Sequence, residues 1–247
     1  MGRKTGLVLA AAVLAAMLLC REGEAPPEKP VRTLSQVPPQ KLWPSGFREA
    51  LERNPELEEF LMDYPEKKNL RPEIDLGGLE TGPEVPLLLQ WDSRWGYTEY
   101  AGNLMGFSGC GPTCLSMACL YLLRDSRYTP RFLADFSEAG GYSCEGSGSY
   151  WTLIYEGGEK LGLEVTEIPT DKERVIRNLE AGNPIICLLG PGDFTVSGHF
   201  IVLGGYEQGR LRIRDPNSVI RSRRLWSFEE IAPQIRCLWV CRNQEKK

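Results

Sequence analysis

The order of the apolar segments constrains the fold of this chain more than any other feature. The segment from Pro112 to Leu123 is apolar on nearly every side when it is drawn as a helix, which is typical of a buried helix. Four strand-like segments follow it, at residues 184–189, 199–206, 210–215 and 235–241. Helices first and strands joined by turns afterwards predict an α+β fold with antiparallel strands, and not a doubly wound parallel sheet.

Shorter elements are predicted around this framework. The apolar run Val85–Gln90 is predicted to be a strand, and the Gly- and Ser-rich residues 140–150 a loop. Residues 151–161 and 172–181 are predicted to be helices, the second ending at Gly182.

Two short helices are predicted ahead of this region. Phe47 and Leu51 lie four residues apart in the first, and Asn54 and Pro55 suit the cap and first position of the second. The second helix has one apolar face, formed by Leu57, Phe60, Leu61 and Tyr64. We expect this hairpin to pack on the main domain; a partner-binding or inhibitory role is the alternative.

The N-terminus has the pattern of an export signal. Arg3 and Lys4 precede an uncharged run from Leu7 to Cys20. A helix of that length rises about 21 Å, short of the ~30 Å hydrocarbon core, so an export signal is favoured over a spanning helix. We expect a protein outside the cytoplasm, either secreted or anchored to the outer face of the cell membrane. Lipid attachment at Cys20 stays open.

Four regions are therefore expected along the 247 residues. They are a signal peptide or membrane anchor at 1–25, a Pro-rich linker at 26–44, a helical N-terminal extension at 45–84, and the main domain at 85–243. The net charge of −4 and the lack of a basic stripe speak against a nucleic-acid partner.

The eight cysteines do not form a zinc-binding pattern. No Cys-x-x-Cys pair occurs, and the one histidine, His199, is far along the chain from the closely spaced pairs Cys114/Cys119 and Cys237/Cys241. Most of these cysteines are expected to be buried free thiols that behave as small apolar side chains.

His199 is also the only imidazole available as a base. The turn at Gln208-Gly209 joins its strand to the strand that ends at Asp215, so the two side chains are expected within diagonal reach. A carboxylate there would orient the imidazole and stabilise its cation. A core histidine and a turn-forming aspartate are the structural alternatives.

Cys110 and Gln90 complete the candidate site. Cys110, between two glycines, precedes the buried helix, where the orphan amides and the positive end of the dipole stabilise a thiolate. Cys114 is the alternative that position alone leaves open. Gln90 follows three leucines and would be an oxyanion donor together with the Cys110 amide, although a polar residue at a strand end is the simpler explanation.

These segments resemble the papain-like cysteine peptidases related to the bacteriocin leader-processing peptidases, and in particular their stand-alone exported branch in Gram-positive bacteria. The resemblance spans about residues 57–240, with Pro55–Lys68 as its weaker part. The matching motifs are Gln90-Trp91-Asp92-Ser93-Arg94-Trp95-Gly96, Gly109-Cys110-Gly111-Pro112-Thr113, Gly198-His199-Phe200-Ile201-Val202 and Asp215-Pro216-Asn217.

The resemblance implies a papain-like fold, in which a helix packs on an antiparallel sheet and the active site lies between them. It also implies Cys110 as nucleophile, His199 as base, Asp215 as orienting acid and Gln90 as oxyanion donor, acting on a peptide or other amide bond through a thioester. No metal or organic cofactor is expected. No transporter portion or Gly-x-x-x-x-Gly-Lys-Ser/Thr motif occurs, so cleavage of double-glycine leaders is not assumed.

The expected partner is a peptide or protein substrate, a cell-wall peptide being one option, with no integral transporter partner, and the chain is expected to be a monomer. Two other functions stay open. One is a catalytically silent surface module that binds peptide or cell-wall polymer in the same cleft. The other is an amide-bond transferase that uses the same triad.

Overall fold

The structure, a computed structural model, describes residue 44 and residues 46–246. The predicted signal segment at 1–25 lies outside the described residues, as does the linker at 26–44 apart from Pro44. Among the helices of the described part, none is long and apolar enough to cross a membrane.

The N-terminal hairpin consists of helix α1 (Phe47–Arg53) and helix α2 (Glu58–Lys67), joined through a 3-10 turn at Pro55–Leu57. The Asn54 side chain accepts a hydrogen bond from the Glu56 amide at 3.1 Å, so the predicted cap is confirmed. The Phe60 ring stacks on Tyr97 of the main domain with centroids 4.4 Å apart. The predicted packing of this hairpin on the main domain is therefore confirmed.

A mixed region of short elements precedes the sheet. The helix predicted at 112–123 is confirmed and begins two residues earlier, at Cys110. The helix from Pro130 to Ala139 was not predicted, although the Thr129 side chain caps it and Pro130 occupies its first turn. The elements are β1 (Glu99–Tyr100), β2 (Asn103–Leu104), α3 (Met105–Ser108), α4 (Cys110–Leu123), α5 (Pro130–Ala139), β3 (Ser143–Cys144) and β4 (Gly148–Ser149).

The second half contains the main sheet. The helix predicted at 151–161 is a π-helical turn, Leu153–Gly157, followed by a short α-helix. The four predicted strands are confirmed to within two residues at each end, whereas β5 was not predicted. The elements are α6 (Gly158–Lys160), β5 (Leu163–Ile168), α7 (Lys172–Glu180), β6 (Ile185–Leu189), β7 (His199–Glu207), β8 (Arg210–Arg214), α8 (Val219–Arg223), β9 (Leu225–Trp226), α9 (Phe228–Ile231) and β10 (Ile235–Asn243).

The six strands form one antiparallel sheet in the order β5-β10-β6-β7-β8-β9. Alternate side chains of β7 enter two different apolar clusters. Phe200 and Val202 pack with α4 on one face, and Ile201 and Leu203 pack with Val175 of α7 on the other. The predicted α+β class, with a central helix against an antiparallel sheet, is confirmed.

The predicted strand at Val85–Gln90 is wrong, because this segment pairs with no strand of the described residues. Pro86 has no N–H to donate to a ladder. The other main-chain groups bond elsewhere: the Leu88 amide lies 3.3 Å from the Met117 sulfur, and the Val85 carbonyl accepts from Arg214 at 2.7 Å. The apolar run is buried by packing on α4 and against Gly204 of β7, without joining the sheet as a strand.

Candidate active site

Cys110 is the first residue of α4. The preceding residue, Gly109, ends α3 by donating its amide to the Met105 carbonyl at 2.8 Å, and its own carbonyl accepts from Thr113 at 3.1 Å. The Cys110 thiol therefore sits at the start of a fourteen-residue helix whose first amides have no partner within that helix. Cys110 is partly exposed, so a substrate can reach it.

Gly111 lets a neighbouring loop approach the nucleophile closely. A Cβ at this position would lie 2.4 Å from Ser149 Oγ, in β4. Ser149 is held there by a 2.6 Å hydrogen bond with the Tyr100 hydroxyl, which also bonds Ser137 at 2.8 Å. The Gly- and Ser-rich segment predicted as a loop therefore contains a short hairpin of β3 and β4, which lies beside Cys110.

His199 is the first residue of β7 and is only 6 % exposed. Its Nε2 lies 2.8 Å from Asp215 Oδ1, and its ring lies close enough to the Cys110 thiol for the two groups to shift each other's pKa. By alternation His199 shares the face of Ile201 and Leu203, away from α4. The ring nevertheless meets Cys110 because the site lies at the end of the sheet, where α4 begins.

The β7–β8 hairpin aligns His199 with Asp215. Gln208 and Gly209 both have positive φ, at 51° and 76°, as a two-residue type I′ turn requires. A bulge between Leu203 and Gly205 then shifts the register. Val202 pairs with Arg214, so continuing the ladder brings His199 diagonally opposite Asp215, as the turn spacing predicted.

Charge and hydrogen bonds tune the pKa values of all three groups. Burial alone raises the pKa of the Cys110 thiol, but the hydrogen bond and charge of His199 outweigh it and lower the pKa overall. Burial alone lowers the pKa of His199, yet the Asp215 charge and hydrogen bond raise it to about 10. Burial alone raises the pKa of Asp215, while His199 and Arg221 lower it overall. The arrangement favours a thiolate, an imidazolium and a carboxylate together.

Five buried thiols have the opposite character. The seven cysteines of the described part are free thiols. Burial raises the pKa of Cys114 well above its ordinary value and that of Cys241 to about 12. Raised pKa values are shared by Cys114, Cys119, Cys187, Cys237 and Cys241. Of the two candidates left open by position, Cys110 therefore has the features of a nucleophile and Cys114 those of a core residue.

Asp215 has partners that the sequence did not reveal. Its Oδ2 accepts from Arg221 Nε at 2.5 Å, and its Oδ1 also accepts from the Asn217 amide at 2.8 Å. Its own amide donates to Ser222 Oγ at 2.8 Å. These bonds leave the fully buried carboxylate paired on both oxygens, as a buried charge requires. Arg221 lies among several arginines between residues 210 and 224, and nothing in its sequence pattern distinguishes it from them.

Gln90 is buried between the turn after Asp215 and the segment before α4. Its amide donates to the Pro216 carbonyl at 2.7 Å, and its Nε2 donates to the Gly106 carbonyl at 2.9 Å. One Nε2 hydrogen remains after that bond, and Oε1 is buried without a hydrogen-bond partner. The structure thus brings all four predicted site residues to one end of the sheet.

The fold, with α4 against one face of the antiparallel sheet and a Cys–His–Asp cluster at its end, is that of papain-like peptidase domains. The family model of the Peptidase_C39 like family matches residues 83–235, and the chain belongs to this family. No curated protein matches the chain.

Three solved structures are similar to this chain. The peptidase domain of Streptococcus ComA, a bi-functional ABC transporter involved in a quorum sensing pathway, is 20% identical over 65% of this chain and 99% of its own, with a TM-score of 0.46. A double glycine motif protease from an AMS/PCAT transporter, in complex with the leader peptide, is 18% identical over 64% and 91%, with a TM-score of 0.42. A protein described as a C39-like peptidase from Bacillus anthracis is 17% identical over 63% and 94%, with a TM-score of 0.41.

Proposed function

We propose that this protein is a cysteine peptidase that hydrolyses peptide bonds with Cys110, His199, Asp215 and Gln90. The observation that carries the proposal is the 2.8 Å contact between His199 Nε2 and Asp215, with Cys110 at the start of α4 close enough to His199 for the ring to lower the pKa of its thiol. Membership of a peptidase family supports the reaction class.

The first half of the reaction forms a thioester. The Cys110 thiolate attacks the substrate carbonyl carbon, and the carbonyl π electrons move onto oxygen. The Cys110 amide and the remaining Nε2 hydrogen of Gln90 donate to this oxyanion. As the tetrahedral intermediate collapses, the C–N bond breaks and the His199 imidazolium gives its proton to the leaving amine.

The second half releases the acid product. Neutral His199 takes a proton from water, whose oxygen attacks the thioester carbon. The C–S bond then breaks, the acid leaves, and the thiolate–imidazolium pair is restored. Asp215 accepts from Nε2 throughout, so Nδ1 is the nitrogen that faces the sulfur and exchanges the proton.

The domain organisation belongs to the same proposal. We assign the catalytic unit to residues 85–243 and the helical extension to 45–84, with an exported chain that acts on peptides, cell-wall peptides included, outside the cytoplasm. The apolar run from Leu7 to Cys20 supports export. Tyr150 and Trp151, which follow Ser149 and have exposed aromatic side chains, support contact with a peptide substrate.

The test is labelling followed by cleavage. The full chain is treated with an electrophilic peptidyl inhibitor, the modified residue is mapped by mass spectrometry, and a peptide library is then digested. We expect the label on Cys110, cleavage by the wild type, and loss of both in Cys110→Ala. Cys114→Ala, one helical turn away, is the matched control and retains both.

Two results would contradict the proposal. Labelling of Cys114 in place of Cys110 would reassign the nucleophile. A Cys110 no more reactive than an ordinary thiol, with no library peptide cleaved, would favour the catalytically silent binding module.

A further inference from the structure

We propose that the N-terminal helical hairpin (Phe47–Lys67) is a positioning element for the catalytic residues, acting mainly through Glu56. The inference rests on the proposed function, because it assigns the hairpin a role in orienting Asp215 and Gln90. Neither the family match, which begins at residue 83, nor the triad itself includes these residues.

Glu56 caps the helix that holds Asp215. Its carboxylate accepts hydrogen bonds from the Ser218 hydroxyl, from the Val219 amide at 2.8 Å and from the Ile220 amide at 3.3 Å. These groups form the first turn of α8, whose orphan amides a carboxylate satisfies well. A residue from far along the chain therefore holds the start of α8.

The same short helix carries the partners of Asp215. Arg221 pairs with Oδ2 at 2.5 Å, and Ser222 accepts from the Asp215 amide at 2.8 Å. Five residues are too few for a helix to be stable alone. Without the Glu56 cap, α8 would fray and the Arg221 guanidinium would lose its fixed position beside the carboxylate.

Asn54 holds the other side of the Asp215 turn. Its Nδ2 donates to the Asn217 carbonyl at 2.7 Å, and the Asn217 amide donates to Asp215 Oδ1 at 2.8 Å. Its Oδ1 at the same time caps the 3-10 turn at Pro55–Leu57 through the Glu56 amide. One buried side chain thus links the turn before α2 to the carboxylate that orients His199.

The hairpin also reaches the oxyanion side of the site. A Cβ on Gly106 would lie 2.6 Å from Phe60 Cζ, so the Phe60 ring lies directly against the peptide whose carbonyl accepts from Gln90 Nε2. The Gln90 amide in turn donates to Pro216, in the turn that Asn54 holds. The hairpin therefore supports both Asp215 and Gln90, and small displacements of such groups have large effects on rate.

The experiment measures the pH profile of Cys110 alkylation in the full chain. Iodoacetate is the probe because, as an anion, it reacts fastest when the thiolate and the imidazolium are present together. Its rate at Cys110, followed by mass spectrometry, therefore falls at alkaline pH as His199 loses its proton. Thermal unfolding of each variant records stability separately.

We expect Glu56→Ala to move this alkaline fall to lower pH by about half a unit to one unit, so that alkylation there is about 3- to 10-fold slower. Glu56→Gln keeps an acceptor for the Val219 amide and should restore the rate to within about twofold. Glu52→Ala removes an exposed glutamate of the same hairpin and should match the wild type. If Glu56→Ala does not fold, Asn54→Ser takes its place, since serine still caps the 3-10 turn at Pro55–Leu57 but lacks the amide that holds Asn217.

Three outcomes are informative. The expected shift, with rescue by glutamine, supports the inference. If the wild type is reactive and Glu56→Ala shows the same alkaline fall, the inference alone is overturned and the proposed function stays intact, even when the variant is less stable. A wild type whose Cys110 reacts no faster than the partly exposed Cys144 refutes the proposed function and the inference together.

Discussion

Replacing Asp215 by asparagine tests the electrostatics of the site most directly. The substitution keeps the size of the side chain and one oxygen for His199 Nε2, but it removes the charge. In the wild type that carboxylate is fully buried, 2.8 Å from His199 Nε2 and 2.5 Å from Arg221 Nε. The variant therefore leaves two cationic groups beside a neutral amide.

The expected effect follows from the pKa of His199. Burial lowers this pKa, and the Asp215 charge is the largest influence that raises it, to about 10 from an ordinary 6.5. That rise corresponds to about 5 kcal/mol of additional proton affinity. Without the charge, burial opposes protonation and the pKa of His199 falls. Each unit of that fall lowers the protonated fraction of the imidazole on the alkaline side by about tenfold, so a loss of the ion pair of at least about tenfold is expected there.

The assay is iodoacetate alkylation of Cys110 across pH, with Cys110→Ala to identify the modified peptide. The wild type should stay reactive from neutral pH to well above pH 8, whereas the alkaline fall of Asp215→Asn should begin at a clearly lower pH than that of the wild type. The thiolate and the imidazolium titrate as a coupled pair, so the midpoint belongs to both groups. An alkaline fall at the same pH in both proteins would refute the assignment of Asp215 as the group that holds the imidazolium.

Three further predictions follow from the same geometry. Gln90→Ala should lower the rate of peptide cleavage by about 100-fold while leaving Cys110 alkylation unchanged, because it removes an oxyanion donor and the bond to the Gly106 carbonyl but leaves Cys110 and His199 in place; equal losses in both assays would contradict that role. Gly111→Ala should lower the free energy of unfolding by about 1–3 kcal/mol and slow alkylation, because its Cβ would lie 2.4 Å from Ser149 Oγ; Gly205→Ala, where a Cβ meets nothing within 4 Å, is the control. In urea unfolding, the wild type should be about 3 kcal/mol more stable than Asp215→Asn at neutral pH. Since the pKa of Asp215 is lowered in the fold, this advantage is present above its ordinary value of 3.8 and should be lost as pH falls below it; an advantage that does not change with pH would show that the charge is not its source.

Local sequence patterns predicted the elements that depend on periodicity. The all-round apolar pattern of α4 and the apolar runs of the four strands identified the helix and the sheet, because burial of such segments is required wherever they pack. The same patterns failed where long-range partners decide. Val85–Gln90 is as apolar as a strand, but it is buried against α4 and bonds to side chains.

The sequence by itself determined which residues could do the chemistry. With one histidine in the chain, and with a cysteine flanked by glycines before the buried helix, few other assignments were available. The Gln208-Gly209 turn also sets the spacing of His199 and Asp215, because a two-residue turn specifies the register of its hairpin. These are properties of residue type and short-range geometry.

The tertiary structure alone decided that the His199–Asp215 pair meets Cys110. Strand alternation places His199 on the sheet face away from α4, and only the junction of the sheet end with the start of α4 brings its ring to Cys110. The supports of Asp215 are likewise invisible in the sequence, since Arg221 follows it in a different element and Glu56 lies more than a hundred residues before it. Hydrophobic periodicity repeats over a few residues, whereas these contacts depend on how separate elements pack against one another.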